Sequence, residues 1–178
     1  AYKKNGGYET AKKINNGVIS KKQVLASLNE SGLKGKGGAG FPTGKKWEIV
    51  SNYNGKKYVA VNGDEGEPGT FKDRSYLESD PHRFLEGALI ASYFINAQKV
   101  YIYMRDEYPA VIKILHNEIC KMEDEEIIPK DFFIVRRGAG AYIFGEESAM
   151  IESIEGKRGL PRHRPPYVAE IGLFGCPT

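Results

Sequence analysis

At 178 residues, with 40% hydrophobic and 28% charged side chains, the chain has the size and make-up of one soluble α/β domain with a sizeable core and little room for a second. Its formal charge of +3 is modest. Basic residues gather in 1–47 and 136–164 and acidic ones in 123–126, so there is no nucleic-acid stripe, and a negatively charged small molecule is favoured over a polymer. No apolar run of about 18 residues and no signal-peptide segment is present, which points to a cytoplasmic protein without direct membrane insertion.

Residues 1–19, rich in Lys, Asn and Gly and periodic in nothing, read as a poorly ordered N-terminal arm before one domain over 20–178. Ser20 with Gln23 is a capping box, Val24, Leu25 and Leu28 share a face, and Gly32 is a stop, which predicts a helix over 21–31. It delivers the chain into Gly35-Lys-Gly-Gly-Ala-Gly40, a bare backbone whose N–H groups can converge on an anion, followed by Phe41, Lys45 and Lys46. Thr43–Val50 is predicted to begin another helix.

Tyr58–Val61 is a short β-prone run ending in Asn62-Gly63 and the acidic loop Asp64–Gly69. Asp80-Pro81 is an N-cap with proline in the first turn, and the helix after it, from His82 to about Asn96, presents Leu85, Ala88, Leu89, Ser92 and Tyr93 on one face. Lys99–Arg105 is the next strand, Pro109–Met122 the next helix, Asp131–Arg137 a third strand and Glu146–Glu155 a third helix that stops at Gly156. Alternation of strand and helix predicts an α/β fold with an open, largely parallel sheet and crossover helices. Ligands of such sheets sit beyond the strand C-termini, so the loops 62–73, 105–108 and 138–147 should meet on one rim. Beyond Arg158 the chain is proline-rich and reads as irregular.

Gly35, Gly37 and Gly40 spell GxGxxG, but a helix precedes them where the dinucleotide fingerprint needs a strand. Gly44-Lys45-Lys46 lacks the first glycine and the hydroxyl residue of a P-loop. The second glycine-rich stretch, Arg136–Glu147, does follow a strand and open a helix, and the N–H groups near Gly145 could face a phosphate. Glu146 and Glu147 serve equally well there as first-turn acids. Asp64, Glu65, Glu67, Asp73, Asp106 and Glu107 are open to two readings, a metal cluster or acceptors for ribose and ribityl hydroxyls. His82, His116 and His163 read as exposed or satisfied polar groups. Cys120 and Cys176 form no CxxC unit, and Cys120 is expected to be free and buried. The start without Met and the stop at Thr178 read as a piece of something longer.

Four stretches carry a resemblance: Gly35–Trp47, Asn62–Arg74, Gly138–Ala149 and Glu155–Tyr167. Together they resemble the NADH-binding flavoprotein family, which contains the 51 kDa subunit of respiratory complex I and the diaphorase-type subunits of NAD-linked formate dehydrogenases and hydrogenases. Met104–Pro109 and Arg162–Pro166 look closest to the soluble formate dehydrogenase branch. The resemblance implies a Rossmann-like sheet with glycine-rich FMN/NAD loops, incomplete here at its C-terminal end, and cytoplasmic hydride transfer between NAD(H) and FMN. Carried over by motif, Gly35, Lys36, Gly37, Gly38, Gly40, Lys46, Asn62, Asp64, Gly145 and Glu146 would contact FMN. Phe41, Glu67, Tyr142, Glu147, Arg164 and Tyr167 would line the NAD side.

No general acid or base is implied for the hydride step, Glu67 and Glu147 being positioning groups, and no metal site is implied in this chain. Lys36 stands where the family usually has arginine, Ile49 near a frequently aromatic position and Arg164 at a frequent lysine. The implied partners are an iron–sulfur subunit of thioredoxin-like ferredoxin type and a larger catalytic or cluster-bearing subunit, with a 4Fe-4S cluster in the part of the family pattern that follows Thr178. A non-catalytic nucleotide-binding scaffold is the rival reading.

Overall fold

The computed structural model describes residues 2–36, 39–138 and 140–178. Three parallel strands, β1 (Tyr58–Gly63), β2 (Lys99–Met104) and β3 (Phe133–Arg137), pair in the order β1-β2-β3. In register, Val61 faces Ile102 and Ile102 faces Val135, so all three C-termini open on one edge. Around them lie α1 (Glu9–Asn15), α2 (Lys21–Ser31), α3 (Thr43–Ser51), α4 (Lys72–Ser79), α5 (Pro81–Ile95), α6 (Pro109–Asp124) and α7 (Glu147–Ile154). The expected α/β architecture is present, and no helix among the described residues is long and apolar enough to cross a membrane.

The side-chain period of two divides the core between the sheet's faces. Val100, Ile102 and Met104 pack with Leu85 and Leu89 of α5 and with Val111 and Leu115 of α6. Tyr101 and Tyr103 point the other way, onto Met150, Ile151 and Ile154 of α7. Each such fully buried aliphatic side chain contributes about 1.5–3 kcal/mol. A third cluster joins Val24, Val50, Phe94 and Ile95 beneath α2 and α3. There the Gly44 Cα sits so close to α2 that an added Cβ would lie 2.5 Å from Asn29 Oδ1. The glycine that imitates a P-loop letter is thus a helix contact.

Local signals account for several boundaries. Ser20 and Gln23 form the capping box at α2, and Gly32 ends it in the left-handed conformation. Asp80 accepts from the Arg83 N–H at 3.2 Å to start α5, with Pro81 at its first position. Helix α4 departs from the expectation, since residues up to 73 read as loop. Its first turn is capped from a distance: the buried Glu65 carboxylate accepts from the N–H groups of Asp73 (2.9 Å) and Arg74 (3.2 Å). No local pattern announces such a cap.

The N-terminal residues also correct the sequence reading, being helical and docked on α5. Tyr8 and Ala11 are each 1% exposed. The buried Glu86 carboxylate gathers Tyr2 Oη (2.6 Å), Tyr8 N (2.9 Å) and Ala11 N (3.3 Å). His82 lies between Tyr8 Oη (2.8 Å) and Glu118 (3.0 Å), a satisfied polar group. Charge-assisted bonds to buried donors are worth about 1.5–3 kcal/mol each when one partner is removed, discounted here because an undocked segment regains water. Glu86→Ala should therefore cost about 2 kcal/mol in urea unfolding and expose residues 2–16 to limited proteolysis. Unchanged protection would dismiss the carboxylate as the anchor. Cys120 is a further correction: it is exposed on α6, beside the buried Ile119.

Candidate functional site

The first glycine loop is tied at its base. Lys34 and Pro42 form an antiparallel bridge, Gly35 N donates to Phe41 O (3.0 Å) and Thr43 N to Leu33 O (3.0 Å). Between these ties Gly40 takes φ +59°, open to glycine at little cost. Gly37 and Gly38 lie outside the described residues. Lys36 and Lys46 are exposed, Phe41 is 40% exposed, and neither lysine has a carboxylate partner among the described residues. An uncompensated pair of ammonium groups beside a bare backbone suits a phosphate.

The three rim loops do meet. Asn62 Nδ2 donates to Gly145 O (2.9 Å), while Asn62 Oδ1 accepts from Asp64 N (3.0 Å), joining the ends of β1 and the second glycine loop. Arg105, directly after β2, donates to the Glu65 carbonyl (2.5 Å) and pairs with Glu107 (3.0 Å). Tyr142 Oη donates to Glu67 at 3.3 Å, and Arg137 pairs with Asp106 at 2.5 Å. Among the described residues, no group of three or more His, Cys, Asp or Glu could hold a metal ion.

Asp64 stands apart from the other carboxylates. Its Oδ2 is buried and has no hydrogen-bond partner among the described residues. Burial pushes its carboxyl above the usual range, Arg105 draws it back and Glu107 opposes Arg105. Gly66 and Gly145 both lie against it: a Cβ added to either would be 3.8 Å from that oxygen. A buried acceptor without a donor costs free energy unless something donates to it. Such an acceptor suits a ligand N–H or O–H, the kind of donor that a flavin ring or a polyol chain presents.

On the second glycine loop, Glu146 is committed to α7. Its carboxylate accepts from Ser148 N (2.9 Å), Ala149 N (2.8 Å) and Ser148 Oγ (2.6 Å), and it pairs with Arg164. Burial raises its carboxyl, but those bonds and Arg164 prevail and hold it below the usual range. Arg164 also reaches Glu147 at 2.9 Å. Tyr142 is 68% and Tyr167 58% exposed, apolar rings facing solvent. Sequence reasoning missed Arg105 as a group that orders the rim; its place immediately after a strand, with Glu107 two residues on, was the available signal.

A parallel α/β sheet whose C-terminal rim carries glycine loops, exposed rings and, among the described residues, lysines without carboxylate partners and a buried carboxylate oxygen without a donor is a Rossmann-like nucleotide-binding domain. Residues 28–176 match the family model described as Nuo51 FMN-binding domain. The chain belongs to that family, the family of the complex I 51 kDa subunit. It is 48% identical over 185 residues to an NADH-quinone oxidoreductase subunit of Aquifex aeolicus (strain VF5), covering 99% of this chain and 43% of that protein. To the mitochondrial NADH dehydrogenase [ubiquinone] flavoprotein 1 of Dictyostelium discoideum it is 44% identical, covering 96% of this chain and 37% of that protein. A crystal structure of an NAD⁺-reducing nickel–iron hydrogenase in the air-oxidized state superposes with a TM-score of 0.82 at 40% identity, over 89% of this chain and 28% of that one. The chain thus spans less than half the length of these relatives.

Proposed function

We propose that the chain is the flavin- and nucleotide-binding part of an oxidoreductase subunit of diaphorase type, working between NAD(H) and FMN. The observation that carries this reading is the buried Oδ2 of Asp64, which lies against Gly66 and Gly145 and has no hydrogen-bond partner among the described residues. In this reading Gly35, Lys36, Gly37, Gly38, Gly40 and Lys46 hold the FMN phosphate, while Asn62, Asp64 and Gly145 hold its sugar-like chain and ring. Glu146 acts behind them as the cap that fixes the start of α7. Phe41, Glu67, Tyr142, Glu147, Arg164 and Tyr167 form the NAD side. Glu147 is a polar acceptor there, and Arg164, already shared by two carboxylates, is a cation available to a pyrophosphate. When bound, FMN supplies the hydride chemistry and the passage of single electrons that no side chain here can perform. The protein's own contribution is orientation and field: rigid cross-links hold the rim, Arg105 keeps a positive charge near Asp64, and exposed rings offer stacking surface.

The relatives belong to multisubunit enzymes of NADH, quinone and hydrogen chemistry. By extension we propose electron exchange with iron–sulfur clusters, 4Fe-4S included, of a ferredoxin-like subunit and a larger partner, in the cytoplasm. The narrower formate dehydrogenase context rests on Met104–Pro109 and Arg162–Pro166 alone. Arg105 and Arg162 of those segments are bonded to Glu65 and Glu152 of the same chain, so the choice among formate, quinone and hydrogen partners falls to assays of the assembled complex with each donor or acceptor.

A yellow preparation whose flavin absorbance bleaches with NADH is the expected result. Tight nucleotide binding by a colourless protein that cannot be reconstituted with FMN would instead favour the scaffold reading. Phe41→Ala and Glu67→Gln should each keep FMN yet slow bleaching about 10- to 100-fold at low NADH. Unchanged rates in both would remove those residues from the NAD side.

A further inference from the structure

Glu65 lies between Asp64 and Glu67 in the loop after β1, yet it is only 6% exposed and its side chain bonds within the protein. Its carboxylate accepts from the N–H groups of Asp73 (2.9 Å) and Arg74 (3.2 Å) and from Tyr108 Oη (3.3 Å), and its carbonyl accepts from Arg105 (2.5 Å). One residue therefore joins the end of β1 to the start of α4 and to the segment between β2 and α6. The guanidinium groups of Arg74 and Arg105 both lie over the Tyr108 ring, 5.7 and 5.9 Å from its centre. Those contacts help to hold its hydroxyl where it meets the carboxylate.

A helix cap alone does not require this arrangement. The N-cap position of α4 is Phe71, which is 69% exposed and makes no side-chain cap bond. A serine or aspartate there would satisfy first-turn N–H groups without burying a charge. What the distant cap adds is closure: the Glu65 carboxylate on Asp73 brings together the ends of the loop 65–73, with Glu67 inside it. Within that loop the Glu67 carbonyl accepts from Thr70 N (3.2 Å) and Thr70 Oγ1 (2.6 Å), and Gly66 N donates to Asp64 O (3.0 Å). Tyr142 Oη reaches the Glu67 carboxylate from the second glycine loop at 3.3 Å. Glu67 is thus carried by a loop whose side-chain clasp is Glu65.

We propose that Glu65 is a positioning residue for the nucleotide: its carboxylate closes the loop and so fixes where Glu67 meets NAD(H), a role that rests on the reading of Glu67 as a group of the NAD side. Glu65 touches no ligand itself and acts through Glu67. Displacing a contact group by about 1 Å is enough to lower catalytic efficiency up to 100-fold. Asp64 is held separately, its N–H donating to Asn62 Oδ1 (3.0 Å), so the flavin side should tolerate loss of the clasp.

The test uses Glu65→Gln in the intact protein. Its amide oxygen can still accept from one N–H group, but its NH₂ opposes the other. In the FMN-free protein, amide hydrogen exchange over residues 66–74 should quicken about tenfold while α6 keeps its protection. In the FMN-loaded protein, flavin retention should stay within about twofold of the parent, and the KM for NADH in flavin bleaching should rise about tenfold with kcat little changed. In a Glu67→Gln background the same substitution should add less than about twofold, since the group through which it acts is gone. Loss of a helix cap alone would show no such coupling. Should Glu65→Gln misfold, Tyr108→Phe, which removes one of the three bonds to the carboxylate, should move exchange and KM in the same direction by about threefold. Unchanged exchange, an unchanged KM, or a full tenfold effect on top of Glu67→Gln would each overturn the role of Glu65. A parent that holds FMN yet is not bleached by NADH would instead sink the reading of the NAD side on which that role depends.

Discussion

Arg162→Met should lower stability by about 3 kcal/mol, the largest loss expected from one surface-reaching residue. Arg162 Nε donates to Glu152 (2.5 Å), one terminal nitrogen to the carbonyls of Ile171 (3.1 Å) and Gly172 (3.3 Å), and the other reaches Glu155 (3.5 Å). Its own N–H donates to Ser148 Oγ (2.8 Å), next to the α7 cap. Removing the guanidinium takes a cation from Glu152 and from Glu155, which is 6% exposed and keeps Lys157 and the Phe174 N–H, and frees two carbonyls at once. Breaking a buried pair by one partner costs about 3–5 kcal/mol; the lower figure is used because the Arg162 side chain is 25% exposed. At this chain length 1 kcal/mol shifts melting by about 2–4 °C, so a drop of about 6–12 °C is expected. Arg162→Lys should recover only part of it, since an ammonium cannot span two carboxylates and two carbonyls. A loss under about 0.5 kcal/mol would show that the C-terminal segment holds without this strap.

The same cluster sets an acid limit. Burial raises the Glu155 carboxyl, but Lys157, the Phe174 N–H and Arg162 outweigh it and hold it below the usual range, as similar bonds do for Glu146. A carboxyl whose folded value is depressed stabilises the fold fully above its unfolded value, near 4.5 here, and loses that contribution as pH falls through the folded value. Stability should therefore decline below about pH 4.5. In Arg162→Met the decline should be shallower, because part of the native preference for the ionised form is already gone.

What the sequence disclosed follows the range of the interactions concerned. The α2 capping box, the Asp80-Pro81 start of α5 and the alternation in β2 are set by neighbours a few residues apart, and each was legible. The meeting of the three rim loops was legible too, because parallel pairing sends every strand end to one edge. Helices α1 and α4 were not. Their anchors, Glu86 and Glu65, act across 75 residues for Ala11 N and eight for Asp73 N, and no local spacing encodes a carboxylate that folds back from elsewhere. Cys120 failed for another reason: a cysteine is usually buried, but the stripe of Leu115, Ile119 and Met122 fixes the inward face of α6 and leaves its neighbour outside. Asp64 was named as a site residue from its motif, yet its isolation, the property that makes it chemically informative, depends on Gly66 and Gly145 converging in space.

Asp64→Asn is expected to separate stability from cofactor retention, raising the first while lowering the second. In the apoprotein the carboxylate is half-buried, its Oδ2 is unmet among the described residues, and burial pushes its carboxyl upward. A carboxyl raised in the folded state binds more protons there than in the unfolded chain, so stability falls as pH climbs through its range. An amide of the same shape carries no charge to desolvate, and the apoprotein should gain about 1 kcal/mol near neutral pH. If Oδ2 is the acceptor for an FMN donor, the same change removes a charge-assisted bond of about 1.5–3 kcal/mol and weakens FMN retention roughly 10- to 150-fold. Arg105→Met should act in the opposite sense on stability: it withdraws the cation that favours ionised Asp64 and unties the Glu65 carbonyl. The double variant should be more stable than the sum of the two separate effects, since once the carboxylate has become an amide the lost cation no longer matters to that oxygen. Melting curves of the apoproteins and equilibrium dialysis of FMN would decide it. An Asp64→Asn protein that keeps FMN undiminished would take this carboxylate, and with it the main support for the flavin pocket, out of the site.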